Sequence, residues 1–463
     1  MFNKNIIEEI LAISLEKGGD FSELFYEESN SILLKLDDNK IEEAVFGEDF
    51  GVGIRVIKGN ITFYGYTNDI THQGLRKLAK EIALAISEGD YLKRIALEDK
   101  EIGYSQDIKR DISHFNLNSG AELLKLMNDK ARKYNSSIIQ FTAGLRCSDQ
   151  KVIIANSNGD YKEDRRFRTS LYGFSVAGKD GLIQTGYESF ARLGDFNILK
   201  EEVAINVALE SARRAVLLLS AEEAPAGEMP VVISSKAGGV IVHEAVGHGL
   251  EGDLVEKNVS VYAGKVGQKV ASEHITLVDA GNLEGYYGSF SFDDEGIPSQ
   301  YNILIEKGIL RGYMHSRLSA KNLGAKPTGN GRRQNFRFPP IPRMTNTFIL
   351  PGEKNPEDIL NSVDKGLYVV KMGGGQVDTI SGDFVFAVEE GYLIRNGKIS
   401  VPVRGATLIG NGPKVLELIE MIGNDLGFAP GTCGKDMQGV PVTDGMPTVL
   451  VSKITVGGTK EEN

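Results

Sequence analysis

The segment Val242-His243-Glu244-Ala245-Val246-Gly247-His248 sets two imidazoles on either side of a carboxylate. Two imidazoles can hold a divalent cation, and the carboxylate between them can take a proton from water activated there. The segment differs by one residue from H-E-x-x-H, in which histidines four apart share a helix face. Residues five apart on a regular helix diverge by roughly 140°, too far to share an ion. One wide turn, a π-bulge, absorbs the extra residue, and Gly247 is well placed to permit it. A distorted helix is therefore predicted here. Ser235 is a candidate N-cap, and Val240, Ile241, Val242, Ala245 and Val246 supply apolar surface. Gly238, Gly239, Gly247 and Gly249 oppose the helix by roughly 0.8–1 kcal/mol each relative to alanine, so burial or a metal must hold it. The purely structural alternative is two core histidines and a surface glutamate.

Two histidines do not complete a zinc site; a third protein ligand is normal, with one position left for water. The remaining candidates are His72, His114, His274, His315, Cys147 and Cys433. Cys147 reads as a small buried hydrophobe. Cys433 lies in Pro430-Gly431-Thr432-Cys433-Gly434-Lys435-Asp436, which reads as a glycine-flanked loop able to bring a thiolate to an ion. Lys435 could help hold that thiolate before metal arrives. Glu251 and Asp253 are candidates to orient a histidine ligand from behind. Arg332 and Arg333 could hold a peptide carboxylate or serve as ion-pair partners.

The elements around these residues follow from periodicity. Residues 3–17, 70–88, 119–134, 198–222 and 412–424 carry apolar residues at helical spacing. Lys58-Gly59-Asn60, Lys307-Gly308 and Asn396-Gly397 read as hairpin turns between short strands. Ala224-Pro225-Ala226-Gly227-Glu228-Met229-Pro230 breaks the chain and is the best boundary. The expected fold is α+β in two domains: 1–224, an N-terminal α+β domain, and 225–463, a C-terminal domain rich in antiparallel β-sheet that carries the metal-binding helix.

Composition narrows the class. The 463 residues have an ordinary globular balance and a net charge of −11. That charge argues against nucleic-acid binding and against a polybasic membrane contact. Two cysteines exclude a disulfide framework. The first residues form an acidic amphipathic pattern rather than a signal peptide, and no apolar run spans a bilayer. A soluble, cytoplasmic protein is expected.

The run His243-Glu244-Ala245-Val246-Gly247-His248-Gly249-Leu250-Glu251-Gly252-Asp253 resembles the metal helix of the TldD/PmbA family. Asp293-Asp294-Glu295-Gly296, Thr328-Gly329-Asn330-Gly331-Arg332-Arg333, Pro342-Arg343-Met344-Thr345-Asn346-Thr347 and Cys433-Gly434-Lys435-Asp436 are similar to its further blocks. The match spans about 230–455 and is weaker in the first half, where Gly51-Val52-Gly53-Ile54-Arg55 is compatible. Gln334-Asn335-Phe336-Arg337-Phe338 diverges and receives no role. The resemblance implies a metallopeptidase acting on unfolded peptides, dimeric around an enclosed cavity. The second subunit would be another copy or a TldE/PmbA-type paralogue. It implies one Zn(II) per chain, with His243, His248 and Cys433 as ligands and Glu244 as base. Paralogous TldE/PmbA subunits usually lack this helix and cysteine, so the chain resembles the catalytic TldD type. The competing expectation is a non-catalytic peptide-binding or maturation subunit with a structural metal.

Overall fold

The computed structural model describes residues 3–86, 95–99, 106 and 111–461. The architecture is α+β. In the first half, Lys40–Lys58, Phe21–Asp37, Ile138–Asn156 and Asp160–Lys179 lie side by side in that order in a seven-stranded sheet. Ile61–Thr67, Leu182–Leu193 and Glu98–Asp99 complete it. Side chains alternate between the two faces, and this alternation organises the molecule. Leu24, Ile32, Leu34 and Leu36 face four helices. Helices Lys4–Ser14 and His72–Ile86 pack on one end of this face, Leu117–Tyr134 and Glu201–Leu219 on the other. These match the predicted helices in place, three with shorter ends and Leu117–Tyr134 beginning two residues earlier than expected; positions 87 and 88 lie outside the described residues. Cys147 is fully buried under the second pair, as its reading as a small hydrophobe required.

The opposite face, with Glu23, Phe25 and Glu27, turns toward the second half of the chain. Phe336 packs there with Phe25, Val152, Ile154 and Phe292. A Cβ on Gly51 would lie 2.2 Å from the Phe336 ring, which explains the glycine. The divergent run after Arg333 is thus a clamp between the two halves. Buried ion pairs reinforce it. Arg55 bridges Glu23 at 2.8 Å and Glu295 at 2.7 Å, Arg333 also reaches Glu23, and Arg166 meets Asp294 at 2.6 Å.

The second half holds a six-stranded and a nine-stranded sheet. Most pairings are antiparallel. Exceptions include Pro225–Ile233 beside Lys365–Val377 and Asn346–Ile349 beside Gln438–Met446, which run parallel. The expected turns form: Lys307 and Gly308, and Asn396 and Gly397, all have positive φ, as two-residue hairpin turns of this hand require. One predicted helix is corrected. Residues 412–424 form a helix only over Gly412–Glu417, and Ile419–Ile422 is a strand paired with Val449–Gly457. Short apolar runs fit both periods, and here an open sheet edge decides. No helix among the described residues is long and apolar enough to cross a membrane.

Candidate metal centre

The strand Pro225–Ile233 ends against a short irregular helical segment. The expected Ser235 cap is absent: Gly239 precedes the helix and offers it no side-chain bond, while Ser234 caps only the preceding turn Ser235–Ala237, its hydroxyl accepting from the Lys236 N–H. Val240–Val242 is α-helical, His243–Gly247 is a π-turn, and His248–Leu250 continues as a 3₁₀ turn. The His248 N–H donates to the His243 carbonyl, the five-residue bond that defines a π-bulge. The predicted distortion is present, and it brings the two rings to a centroid separation of 5.1 Å at an 89° interplanar angle. The expected reason for Gly247 is corrected. Its φ of −55° is ordinary helix. Glycine is needed because a Cβ would sit 2.1 Å from the Met344 sulfur.

Cys433 comes from the strand Gly427–Lys435, paired antiparallel with Gln438–Met446, so the expected loop is a hairpin arm. Asp436 and Met437 form its tip with positive φ. The arm is the outer strand of the six-stranded sheet, a place where Pro430 is tolerated. Pro430 and the glycines made it look irregular in sequence.

Among the described residues, one group of possible ligands converges on a point: His243, His248 and Cys433, with one ligand atom from each all within 4.8 Å. All three are buried. His243 donates from Nδ1 to Asp444 at 2.7 Å, and His248 from Nδ1 to Glu251 at 3.1 Å. A carboxylate can only accept, so each contact fixes a proton on Nδ1 and makes Nε2 the nitrogen available to a cation. His248 Nε2 lies 3.7 Å from the Cys433 sulfur. Tetrahedral zinc with ordinary bond lengths separates nitrogen and sulfur ligands by roughly 3.6 Å. The donor set therefore fits a soft divalent ion.

Electrostatics agree. Burial pushes the Cys433 thiol up, but the two imidazoles, His243 first, outweigh it and bring it down to about 6. Burial lowers His248, yet Glu251 and Cys433 lift it to about 10. His243 is raised against burial by Asp444 and Cys433. These shifts favour a thiolate among cationic imidazoles, and a divalent cation binding there would displace imidazole protons.

Of the other expectations, Glu251 orients His248 as proposed, and burial is overcome by Lys435 and His248 to bring its carboxyl down to about 2. Asp253 touches no histidine; it binds Lys435 at 2.6 Å. Lys435 is committed to Asp253 and to Glu251 at 3.0 Å, so the imidazoles, not the lysine, support the thiolate. His72 pairs with Glu9, and His315 is buried beside Ser319; neither joins the cluster. Asp444 was missed. The available signal was an acid inside the strand-like run Val440-Pro441-Val442-Thr443-Asp444, where Asp is disfavoured.

Glu244 has 30% of its side chain exposed, with Oε2 3.9 Å from His248 Nε2. It lies in the wall of a cleft of about 1120 Å³ that also takes in Tyr187, Arg214, Lys371 and Phe428. The cleft runs between the two halves. A buried donor set of two imidazoles and a thiol, beside a carboxylate open to a wide cleft, has the layout of a metallohydrolase centre.

Family models cover the chain in three pieces. Residues 22–87 match PmbA/TldA metallopeptidase domain 1, 110–219 the central domain, and 226–458 the C-terminal domain. The chain belongs to the PmbA/TldD metallopeptidase family. It is 37% identical to a metalloprotease TldD homolog of Buchnera aphidicola over 95% of this chain and 93% of that one. It is also 37% identical to a metalloprotease TldD homolog of Haemophilus influenzae, over 97% and 95%. A relative from Saccharolobus solfataricus, 28% identical, is named a zinc metalloprotease TldD homolog. The fold is that of TldE from Thermococcus kodakarensis, with a TM-score of 0.76 over 98% of this chain and all of that chain at 20% identity. It is also that of a Thermotoga maritima protein described as a candidate DNA gyrase modulator, with a TM-score of 0.80 at 23% identity, over 98% of this chain and all of that one.

Proposed function

We propose that this chain is a zinc-dependent peptidase that hydrolyses unfolded peptides, with His243, His248 and Cys433 holding one Zn(II) and Glu244 as the general base. The observation that carries this reading is the convergence of the three ligand atoms within 4.8 Å, with Glu244 on the cleft side. Naming of relatives as metalloproteases, one of them zinc-dependent, supports it. Zinc bound there would polarise the scissile carbonyl and make water more acidic. Glu244 accepts the proton of the attacking water and delivers it to the leaving amine. Asp444 and Glu251 hold the two imidazoles in the tautomer that presents Nε2. The cleft wall includes the bulged stretch Lys371–Gly375, where the ladder register jumps from Met372 to Gly375 and leaves Gly373 and Gly374 without partners in it. An extended peptide can add to such backbone with little sequence preference.

The remaining assignments belong to the same reading. Residues 1–224 form an α+β domain and 225–463 the metallopeptidase domain. The protein acts in the cytoplasm, paired with a second copy or with a TldE/PmbA-type paralogue, and the likeness to a solved TldE chain supports that pairing. The accessible Glu244 favours catalysis over a purely structural metal.

The test is metal analysis with cleavage of an unfolded polypeptide, with and without chelator. Glu244→Ala should retain zinc and lose about 10²–10⁴-fold in hydrolysis, the usual contribution of a positioned base. Undiminished cleavage by that variant would refute the assignment.

A further inference from the structure

A second cavity, of about 550 Å³, lies between the first sheet and the segment Arg332–Asn335. Its floor is built by alternate residues of three neighbouring strands. Ser31 stands beside Ser148, which in turn stands beside Arg168. Arg146 lies two residues before Ser148 on the same face. Arg332 and Gln334 contribute from the other side.

The charges in this wall do not cancel. Arg166 is matched by Asp164 at 3.0 Å and Asp294 at 2.6 Å, and Arg333 by Glu23. Asp49 is taken by Arg337, and Glu27 accepts from the Gln150 amide and the Phe336 N–H. Glu48 is exposed to solvent. Arg168 and Arg332 are different. Arg168 donates only to the carbonyls of Tyr287 and Ser289, both at 3.0 Å. Arg332 donates only to those of Met344 and Pro441. Neither has a carboxylate partner, yet they are only 7% and 3% exposed. Arg146, exposed at the rim, has no ion-pair or hydrogen-bond partner among the described residues. Buried guanidinium groups are normally matched by an acid, because an unpaired charge away from water is costly. Burial, then the neighbouring arginines, outweigh the pull of Asp294 and bring Arg168 down to about 10 and Arg332 to about 9.

We propose that this cavity is an oxyanion-binding site, in which Arg168, Arg332 and Arg146 receive a carboxylate or phosphate group of a small ligand or of a peptide terminus. Guanidinium forks match either group, and the surrounding Ser29, Ser31, Ser148 and Ser170 hydroxyls supply neutral donors. The volume suits a small polar molecule or the last residues of a peptide. The site is separate from the metal centre. Thr432 faces this cavity while its neighbour Cys433 faces the imidazoles, on opposite sides of one strand. The inference therefore rests on no part of the peptidase reading. Of the two arginines singled out in sequence as candidates for a peptide carboxylate, both line this cavity, but Arg333 is consumed by Glu23 and only Arg332 lacks a carboxylate partner.

The test is calorimetry on the full chain at constant ionic strength, with and without chelator. The probes are inorganic phosphate, an N-acetylated dipeptide with a free C-terminus, and its C-terminal amide. Saturable binding near one per chain, indifferent to chelation, is expected for phosphate or for the free-carboxyl peptide but not for the amide. Preference for phosphate identifies a free anion as the ligand, and preference for the peptide a chain terminus; both support the site. Arg168→Gln should abolish binding. Because its carbonyl contacts could make that variant misfold, Arg146→Gln, which has no partner to lose, should keep the wild-type melting temperature and weaken binding about tenfold or more. Absence of saturable binding by the wild type, or equal affinity in Arg146→Gln, would overturn the proposal.

Discussion

Asp444 offers a direct test of how the proposed metal centre would be held. Its Oδ1 accepts from His243 Nδ1 at 2.7 Å, and its side chain is 9% exposed. Among the described residues no other side chain bonds to it, so a change there isolates one function: fixing the ring and raising its basicity. Loss of such a carboxylate behind a histidine ligand lowers metal affinity about 10–100-fold, or about 1.4–2.7 kcal/mol. Asp444→Asn keeps the size and an acceptor for Nδ1–H and loses only the charge, so it should fall near the lower limit. Asp444→Ala loses both and should approach the upper one. Glu251 would be a poorer choice, because it also holds Lys435, and removing it would disturb a second buried charge. Zinc affinity measured by competition with a chromophoric chelator reads the effect, with the exposed Glu420→Gln as control. The metal-induced rise in melting temperature should shrink in the same order, since stabilisation by a ligand follows its affinity. Wild-type affinity in Asp444→Ala would refute the claim that this carboxylate orients a ligand.

Gly247→Ala should be net destabilising in urea unfolding. Overpacking against the Met344 sulfur costs about 1–3 kcal/mol, against a helix-propensity gain of about 1 kcal/mol, and Met344→Ala in the same chain should recover part of the loss. Arg333→Met should cost up to about 3–5 kcal/mol by leaving Glu23 short of a buried partner, less the share Arg55 still supplies, as read from the urea midpoint. Burial raises the Glu27 carboxyl to about 7 against the bonds from Gln150 and Phe336, so the folded chain keeps a proton there that the unfolded chain releases near 4.5. Its contribution is present below pH 4.5 and is lost as pH rises to 7. Glu27→Gln cannot lose that proton, so relative to wild type it should gain roughly 3 kcal/mol between pH 4.5 and pH 8; a pH-independent difference between the two would contradict the shift.

The amino-acid order alone determined the elements with a strong local period or turn chemistry. The four helices of the first half and the hairpins at Gly59, Lys307-Gly308 and Asn396-Gly397 are of this kind. So is the wide turn between His243 and His248, because two imidazoles five residues apart can meet only if the helix widens. Tertiary structure decided the rest. Whether Ile419–Ile422 is helix or strand depended on a neighbouring strand edge. Cys433 became the third member of the cluster through a sheet hairpin 185 residues beyond His248, a proximity that no local pattern encodes. Asp444 lies behind His243, across the fold at a separation of 201 residues. Lys435 and Arg333 carried the right charge for chemistry, but packing committed them to Glu251, Asp253 and Glu23. Charge type is written in sequence; whether a charge is paired or left free is settled by which faces of distant strands the fold brings together.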